Sequence, residues 1–442
     1  MTEIDDQIER FRDLRRRLET AVLPLATSVD GRRFAIQASL HGLELRAGGY
    51  VALEDGETIR LGQVLGLELT EVEGPELGGP VGEGNGFQAR SRIAIRAARG
   101  HGVVLDGPPV PFHDARARPA SPGEVSAWLE RTRPSRATLM VGELALSTGT
   151  PLELDAGGFD RHTFLCGQSG SGKTYALGTL LERLLLETSL RIVVLDPNSD
   201  FVRLREGRAG ADTGLADRYA TAAKGVVVRS AAERGRERLR LRYPELAPAT
   251  QAASLRLNPV ADPLEYAQLV ELVERGRQVD AAEAAASVGD WLTDEYETIG
   301  RRVRNLGIHS WRIWARADDG SLLDELAASG PRCLVVDLGS LDTREEQALV
   351  AEAVLARLWE RRTEREPLLL VIDEAHNVCP QLPDSAQLAL ATEHAVRIAG
   401  EGRKFGIYLL VVTQRPQKVH ENVVSQCDNL ILMRMNSLAD LA

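Results

Sequence analysis

One eight-residue stretch constrains this chain more than any other. Gly167-Gln-Ser-Gly-Ser-Gly-Lys-Thr174 matches GxxxxGK[ST], between an apolar run at Thr163–Cys166 and a helical pattern that starts at Lys173. A strand–loop–helix unit of this kind wraps phosphate. Gly167, Gln168, Ser169, Gly170, Ser171 and Gly172 supply a loop whose backbone N–H groups point inward, and the helix N-terminus adds partial positive charge. Lys173 is then expected on the β- and γ-phosphates of ATP, and Thr174 on Mg²⁺.

A phosphate loop alone does not separate a kinase from a motor. Leu368-Leu-Leu-Val-Ile-Asp373-Glu374 narrows the choice by placing two carboxylates at the tip of a buried strand, where ligands meet open α/β sheets. Asp373 is expected to hold Mg²⁺ through water, and Glu374 to orient and polarise an attacking water. A third apolar strand, Ile407–Thr413, ends at Gln414, whose amide is placed to sense the γ-phosphate. Phosphate-loop strand, Asp-Glu strand and Gln strand, in that order, point to a RecA-like hydrolase. Asp373-Glu-Ala-His376 also spells a helicase box, but Lys173 and Asp373 stand about twice as far apart as that class requires.

Strands are expected at Thr163–Cys166, Arg191–Asp196, Gly225–Arg229, Arg332–Leu338, Leu368–Asp373, Ile407–Thr413 and Asn429–Met435, with helices over 173–188, 343–361 and 386–402. Continuous apolar strands separated by helices read as a parallel sheet covered on both faces. The chain is therefore expected to be α/β, with a RecA-like P-loop core over 139–442 and a helical insertion at about 260–330. That insertion rests on Leu264–Arg277 and Ala281–Leu306, with Trp291, Trp311 and Trp314. Residues 33–106 instead alternate in short segments broken by glycine, which predicts a small β-barrel over 26–107 with a loop at 74–86. Clustered prolines mark 108–138 as a linker, and Ile4, Ile8, Phe11, Leu14 and Leu18 form one face of a helix within 1–25. That helix packs either on its own domain or on a neighbouring subunit.

Composition adds limits. The 43% hydrophobic and 26% charged residues exclude wholesale disorder, and no apolar run reaches the 18 or so residues of a membrane span. The acidic start has no secretory h-region, and Cys166, Cys333, Cys379 and Cys427 lie too far apart for a zinc motif, which fits a cytoplasmic protein. With 53 basic against 64 acidic residues the net charge is −11, so nucleic acid needs a local basic surface. Arg234, Arg236, Arg238, Arg240 and Arg242 alternate and would line one face if extended, either as such a surface or as a solvated edge balanced by Glu233, Glu237 and Glu245.

These motifs together resemble the HerA branch of the HerA–FtsK ATPases. The resemblance is carried by 161–174, Leu195-Asp-Pro-Asn-Ser-Asp200, Val336-Asp-Leu-Gly-Ser-Leu341, Val371-Ile-Asp-Glu-Ala-His-Asn377 and Gly402–Pro416 continuing to Asn429, with a weaker likeness of the N-terminal segment to that family's HAS barrel. It implies a homohexameric ring that translocates along double-stranded DNA, partnered by a NurA-like nuclease or, in anti-phage systems, by another effector. It also implies an arginine finger supplied by the adjacent subunit, with Arg403 first and Arg161 and Arg397 as rivals. Relatives continue into C-terminal helices, whereas this chain ends at Ala442, as a truncated or a short protein would. A secretion-type pump and a nucleotide-gated scaffold ring are the competing readings; stimulation of hydrolysis by duplex DNA separates them from a translocase.

Overall fold

The computed structural model describes residues 13, 24–40, 43–80, 88–133, 136–207, 213–233, 237–278, 297–315, 319–327 and 330–435. Apart from Asp13, the N-terminal helical stretch lies outside these residues, as do Arg234, Arg236 and Trp291. Contacts divide the chain into two compact units, 1–135 with 142–153 and 136–141 with 154–442.

The first unit is a closed antiparallel barrel. Its strands β1 (Leu25–Ser28), β2 (Arg33–Ser39), β3 (Tyr50–Asp55), β4 (Thr58–Pro80), β5 (Gln88–Asp106) and β6 (Phe112–Pro119) run in the order β1-β2-β5-β4-β3-β6. Alternation decides the faces: in β2, Phe34, Ile36 and Ala38 are buried while Arg33, Ala35 and Gln37 are exposed. Phe34, Val51, Leu53, Val64 and Phe112 fill the interior. Gly102 leaves room for the Phe34 ring against β5, since a Cβ there would meet the ring and the Gln63 carbonyl at 2.3 Å.

Two expectations are corrected here. Residues 74–80, read as loop, continue β4, and register shifts between Glu73 and Glu76 absorb the glycine-rich sequence without ending the ladder. Part of the expected linker is β6, which closes the barrel against β1 and β3, with Pro111 and Pro119 at its ends where no ladder bond is lost. Helix α1 (Pro122–Thr132) follows, started by a capping box between Ser121 and Glu124. A hairpin of β7 (Thr138–Glu143) and β8 (Pro151–Asp155) comes next.

The second unit is built on seven parallel strands: β9 (Thr163–Cys166), β10 (Arg191–Asp196), β11 (Val226–Ser230), β12 (Cys333–Asp337), β13 (Leu368–Ile372), β14 (Ile407–Thr413) and β15 (Asn429–Leu432). Their order is β11-β12-β10-β13-β14-β9-β15. Helix α2 (Lys173–Glu187) follows β9 and α3 (Thr213–Ala222) follows β10. Between β11 and β12 come α4 (Pro248–Ser254), α5 (Pro263–Gln278) and α6 (Glu297–Leu306), the last two being the described helices of the insertion. Helices α7 (Arg344–Glu360) and α8 (Ala386–Glu401) flank β13.

The sheet separates two hydrophobic layers because successive side chains leave opposite faces. Leu369 and Val371 of β13 join Leu177, Leu181 and Leu184 of α2 on one side. Leu368, Leu370 and Ile372 join Leu349, Val354, Ala391 and Ile398 of α7 and α8 on the other, where Leu269, Ile299 and Val303 of the insertion also pack. All five residues of β13 are buried, as the unbroken apolar run required.

Candidate active site

The strand order brings three loops side by side. Strand β14 lies between β13 and β9, so the residues just past their C-terminal ends, Asp373, Gln414 and Gly167, meet along one edge of the sheet. Backbone bonds fix this register: Asp373 N–H donates to Leu195 O at 3.1 Å and Gly167 N–H to Thr413 O at 3.3 Å.

Glycines shape the phosphate loop. Gly170 (φ 74°) and Gly172 (φ 89°) occupy the left-handed region, and Gly172 caps α2 so that Lys173 is its first residue. A Cβ on Gly167 would stand 2.6 Å from Ser171 Oγ and 2.7 Å from Met433 Cβ, so no larger residue closes the loop this tightly. Gln168 N–H donates to Arg434 O at 3.1 Å, tying the loop to the chain after β15. Ser169, Gly170 and Thr174 are exposed at its mouth.

Lys173 does not stand free. Its Nζ lies 2.8 Å from Glu374 Oε1 and 3.2 Å from Asp373 Oδ1, and all three side chains are buried. Burial alone would lower the Lys173 pKa, but Asp373 and Glu374 outweigh it and hold it above the ordinary value. Burial likewise raises the Asp373 pKa; Lys173 opposes the shift and Glu374 adds to it. Asp373 Oδ2 and the Ser171 hydroxyl are buried with no hydrogen-bond partner among the described residues, as expected of groups meant for an incoming ligand. The glycine-framed loop suits a phosphate chain, and the unpartnered Asp373 Oδ2 is the kind of oxygen a divalent cation takes.

Glu374 adopts φ 41°, ψ 51°, rare for a residue with a Cβ. That turn aims its second oxygen at β14, where Gln414 N–H donates at 3.5 Å and His376 Nδ1 stands at 3.3 Å. His376 Nδ1 is also 3.1 Å from the Thr413 hydroxyl. A third carboxyl, Asp196 at the end of β10, accepts from the N–H groups of Phe201 (2.8 Å) and Asp200 (3.0 Å). Burial pushes its pKa up to about 6; those bonds pull it down, and Asp373 and Asp337 push it further up.

The structure thus gathers Gly167–Thr174, Asp373, Glu374 and Gln414. It does not bring Arg403, Arg161 or Arg397 to them. Arg403 precedes β14 and Arg161 precedes β9, at the opposite edge of the sheet, where both share Asp428 Oδ2 at 2.7 and 3.2 Å. The seven residues of β14 span about 20 Å at roughly 3.3 Å each, far beyond an arginine's reach. Arg397 pairs with Glu393 on α8.

The alternating arginines are also placed. Leu239 and Leu241 are fully buried, so Arg238, Arg240 and Arg242 do face away from them. Yet Arg240 pairs with Asp319, Arg242 with Glu245 and Asp324, and Arg238 donates to the Arg312 carbonyl at 3.1 Å. Of the two readings, a row of open guanidiniums does not hold at Arg240 and Arg242, which form internal ion pairs because Asp319, Asp324 and Glu245 fold against them.

Sequence reasoning missed Thr413, His376, Asp196 and Asp428. Three carried a signal: His376 sits two residues past Glu374, Thr413 adjoins Gln414, and Asp196 ends an apolar strand just as Asp373 follows one. Asp428 shows its role only once β15 is placed beside β9.

Residues 139–358 match the family model described as the central domain of helicase HerA. The DNA double-strand break repair helicase HerA of Pyrococcus furiosus is 22% identical over 348 residues, 67% of this chain and 60% of that protein. HerA of Sulfurisphaera tokodaii is 39% identical over 115 residues, 24% of this chain and 22% of that protein. The chain thus spans less than two thirds of the length of either relative. A VirB4 of Thermoanaerobacter pseudethanolicus overlaps 70% of this chain and 87% of its own at 16% identity and a TM-score of 0.48, too loose to argue from.

The raised pKa of Asp196 has a measurable consequence. A carboxyl whose folded pKa of about 6 exceeds its unfolded value of 3.8 takes up a proton on folding between those values. Its contribution to stability is present below about 4 and lost as pH rises through about 6. Denaturant unfolding should therefore show wild type losing stability relative to Asp196→Asn across that window; parallel pH profiles would refute the assignment.

Proposed function

The chain belongs to the HerA-like P-loop ATPases of the HerA–FtsK superfamily, and on that footing we propose that it hydrolyses ATP to drive movement along double-stranded DNA. The observation that carries the reading is the buried contact of Lys173 with Asp373 and Glu374 at the mouth of a glycine-framed loop. Lys173 is a cation parked where phosphates would arrive. Its transfer to β- and γ-phosphate oxygens releases Glu374, whose carboxylate then accepts a proton from a water aimed at the terminal phosphorus. Gln414, joined to Glu374 through its backbone N–H, carries its amide at the same edge. Thr174 and Asp373 would hold Mg²⁺, which neutralises phosphate charge when bound.

The working unit in this proposal is a homohexameric ring. Its support is the separation between the two edges of the sheet: the phosphate loop lies at one, and Arg403 and Arg161 lie at the other, held by Asp428. Such arginines serve a site only across a subunit boundary. The turn bearing Arg403 is stiffened on its other side, where Phe405 packs edge-on against Trp359 at 6.0 Å and Arg362 lies over both rings. Stiffness suits a residue that must meet a phosphate presented by another chain.

A role beside a NurA-like nuclease or a defence effector, in DNA end processing or anti-phage defence, belongs to the same proposal, as does a cytoplasmic setting. Two observations support the setting. All four cysteines are free thiols, and among the described residues no helix is long and apolar enough to cross a membrane.

Two measurements test this reading. Steady-state ATP turnover should rise severalfold on addition of linear duplex DNA; turnover indifferent to DNA of any form would contradict translocation. Arg403→Ala should cut turnover by about 10³-fold or more. In rings mixed with Lys173→Ala subunits, which cannot use nucleotide themselves, part of that loss should be recovered. A mixture no more active than the two variants alone would place the finger elsewhere.

A further inference from the structure

The two oxygens of Glu374 are shared between different elements. Oε1 faces Lys173 Nζ at 2.8 Å, and Oε2 faces His376 Nδ1 at 3.3 Å and the Gln414 N–H at 3.5 Å. Once Lys173 leaves for phosphate, only the second set remains to aim the carboxylate. The Gln414 N–H at 3.5 Å is a weak hold, and the His376 imidazole, with Nδ1 at 3.3 Å, is the side-chain group that could donate to the same oxygen.

His376 is built for that task. Its side chain is 10% exposed, and the ring lies between Glu374 and the fully buried Thr413. Thr413 Oγ1 already accepts from Arg415 N–H at 3.0 Å, so its own proton is available to the imidazole 3.1 Å away. Burial lowers the His376 pKa; Glu374 opposes this, while Arg415, Lys173 and Lys418 lower it further, so the ring is neutral at pH 7. A neutral imidazole carries a single N–H, so Nδ1 has two exclusive arrangements. With Nδ1 protonated, it would donate to Glu374 Oε2, 3.3 Å away, in place of its hydrogen bond with Thr413. With Nδ1 bare, it accepts from Thr413 and Glu374 loses its donor.

We infer that His376 is a positioning residue that holds Glu374 for water activation and links that carboxylate, through Thr413, to the strand end bearing Gln414. The inference rests on Glu374 acting as the base. It adds a route by which a change at Gln414 reaches the base: a shift of the β14 end moves Thr413 and changes which partner Nδ1 serves. Proton count is conserved in the exchange, since it moves one N–H between ring nitrogens with water or solvent carrying the balance.

The test uses the full chain with Glu374→Gln alongside. His376→Leu should lower kcat for ATP by up to about 10²-fold, the scale of a misaimed catalytic group, with KM nearly unchanged and fluorescent-nucleotide binding intact. His376→Asn, whose amide nitrogen occupies the place of Nδ1, should recover most of that loss. Thr413→Val should lower kcat less, and the double variant His376→Leu/Thr413→Val should be no worse than His376→Leu alone. In the nucleotide-free protein, nitrogen NMR of the His376 ring should shift on Thr413→Val and on Glu374→Gln. A wild-type kcat in His376→Leu, fully multiplicative losses in the double variant, or a ring signal that ignores both neighbours would overturn the inference. Inactive Glu374→Gln beside normal His376→Leu would sink the positioning role alone, while near-normal Glu374→Gln would sink the assignment of the base as well.

Discussion

Three buried ionisable groups in contact, one ammonium and two carboxylates, are what the architecture of the second unit serves. Removing such charges from water costs several kcal/mol each, and mutual attraction only partly offsets that cost. The cluster of Lys173, Asp373 and Glu374 still carries one more negative than positive group, with Asp373 Oδ2 left without a partner among the described residues. An arrangement so unfavourable to folding is sensible as a site kept ready for a ligand. Incoming phosphate gives Lys173 a better partner, and a metal ion gives Asp373 one.

The sheet order follows from this need. Placing β14 between β13 and β9 sets Thr413 and Gln414 between the acids and the phosphate loop, so one strand end touches both halves of the site. Glu374 reaches its place only through a left-handed backbone, a strain of about 1–3 kcal/mol that neighbouring contacts must sustain. The same strands carry Arg403 and Arg161 at their other ends, gathered on Asp428. A rigid parallel sheet therefore holds a phosphate site and a pair of guanidiniums at fixed separation. Head-to-tail association is the geometry in which the two could meet.

Much of this was legible in the sequence because buried parallel strands are hydrophobic without interruption. Leu368–Ile372 and Ile407–Thr413 stop where polar residues begin, so strand ends and site residues are marked by the same boundary. The loop at Gly167–Thr174 was equally plain, since its spacing is dictated by the size of a phosphate. The barrel was read less well. In β4 the glycines and prolines that signal a turn sit inside a bulged ladder, and β6 hid among prolines that mark its ends. Long-range pairing was not legible at all. The alternation of Arg238, Arg240 and Arg242 correctly gave a common face, but not Asp319 and Asp324, which arrive from about eighty residues away. His376 stood in plain sight beside Glu374, yet its link to Thr413 depends on β13 and β14 being neighbours.

The most direct test of the resting clasp is a structure of the assembled protein with Mg²⁺ and a non-hydrolysable ATP analogue. Lys173 Nζ should have left Glu374 for the β- and γ-phosphate oxygens, with the Glu374 carboxylate turned toward a water and still within hydrogen-bond distance of His376. A nucleotide seated in the loop while Lys173 remains paired with both acids would contradict the account.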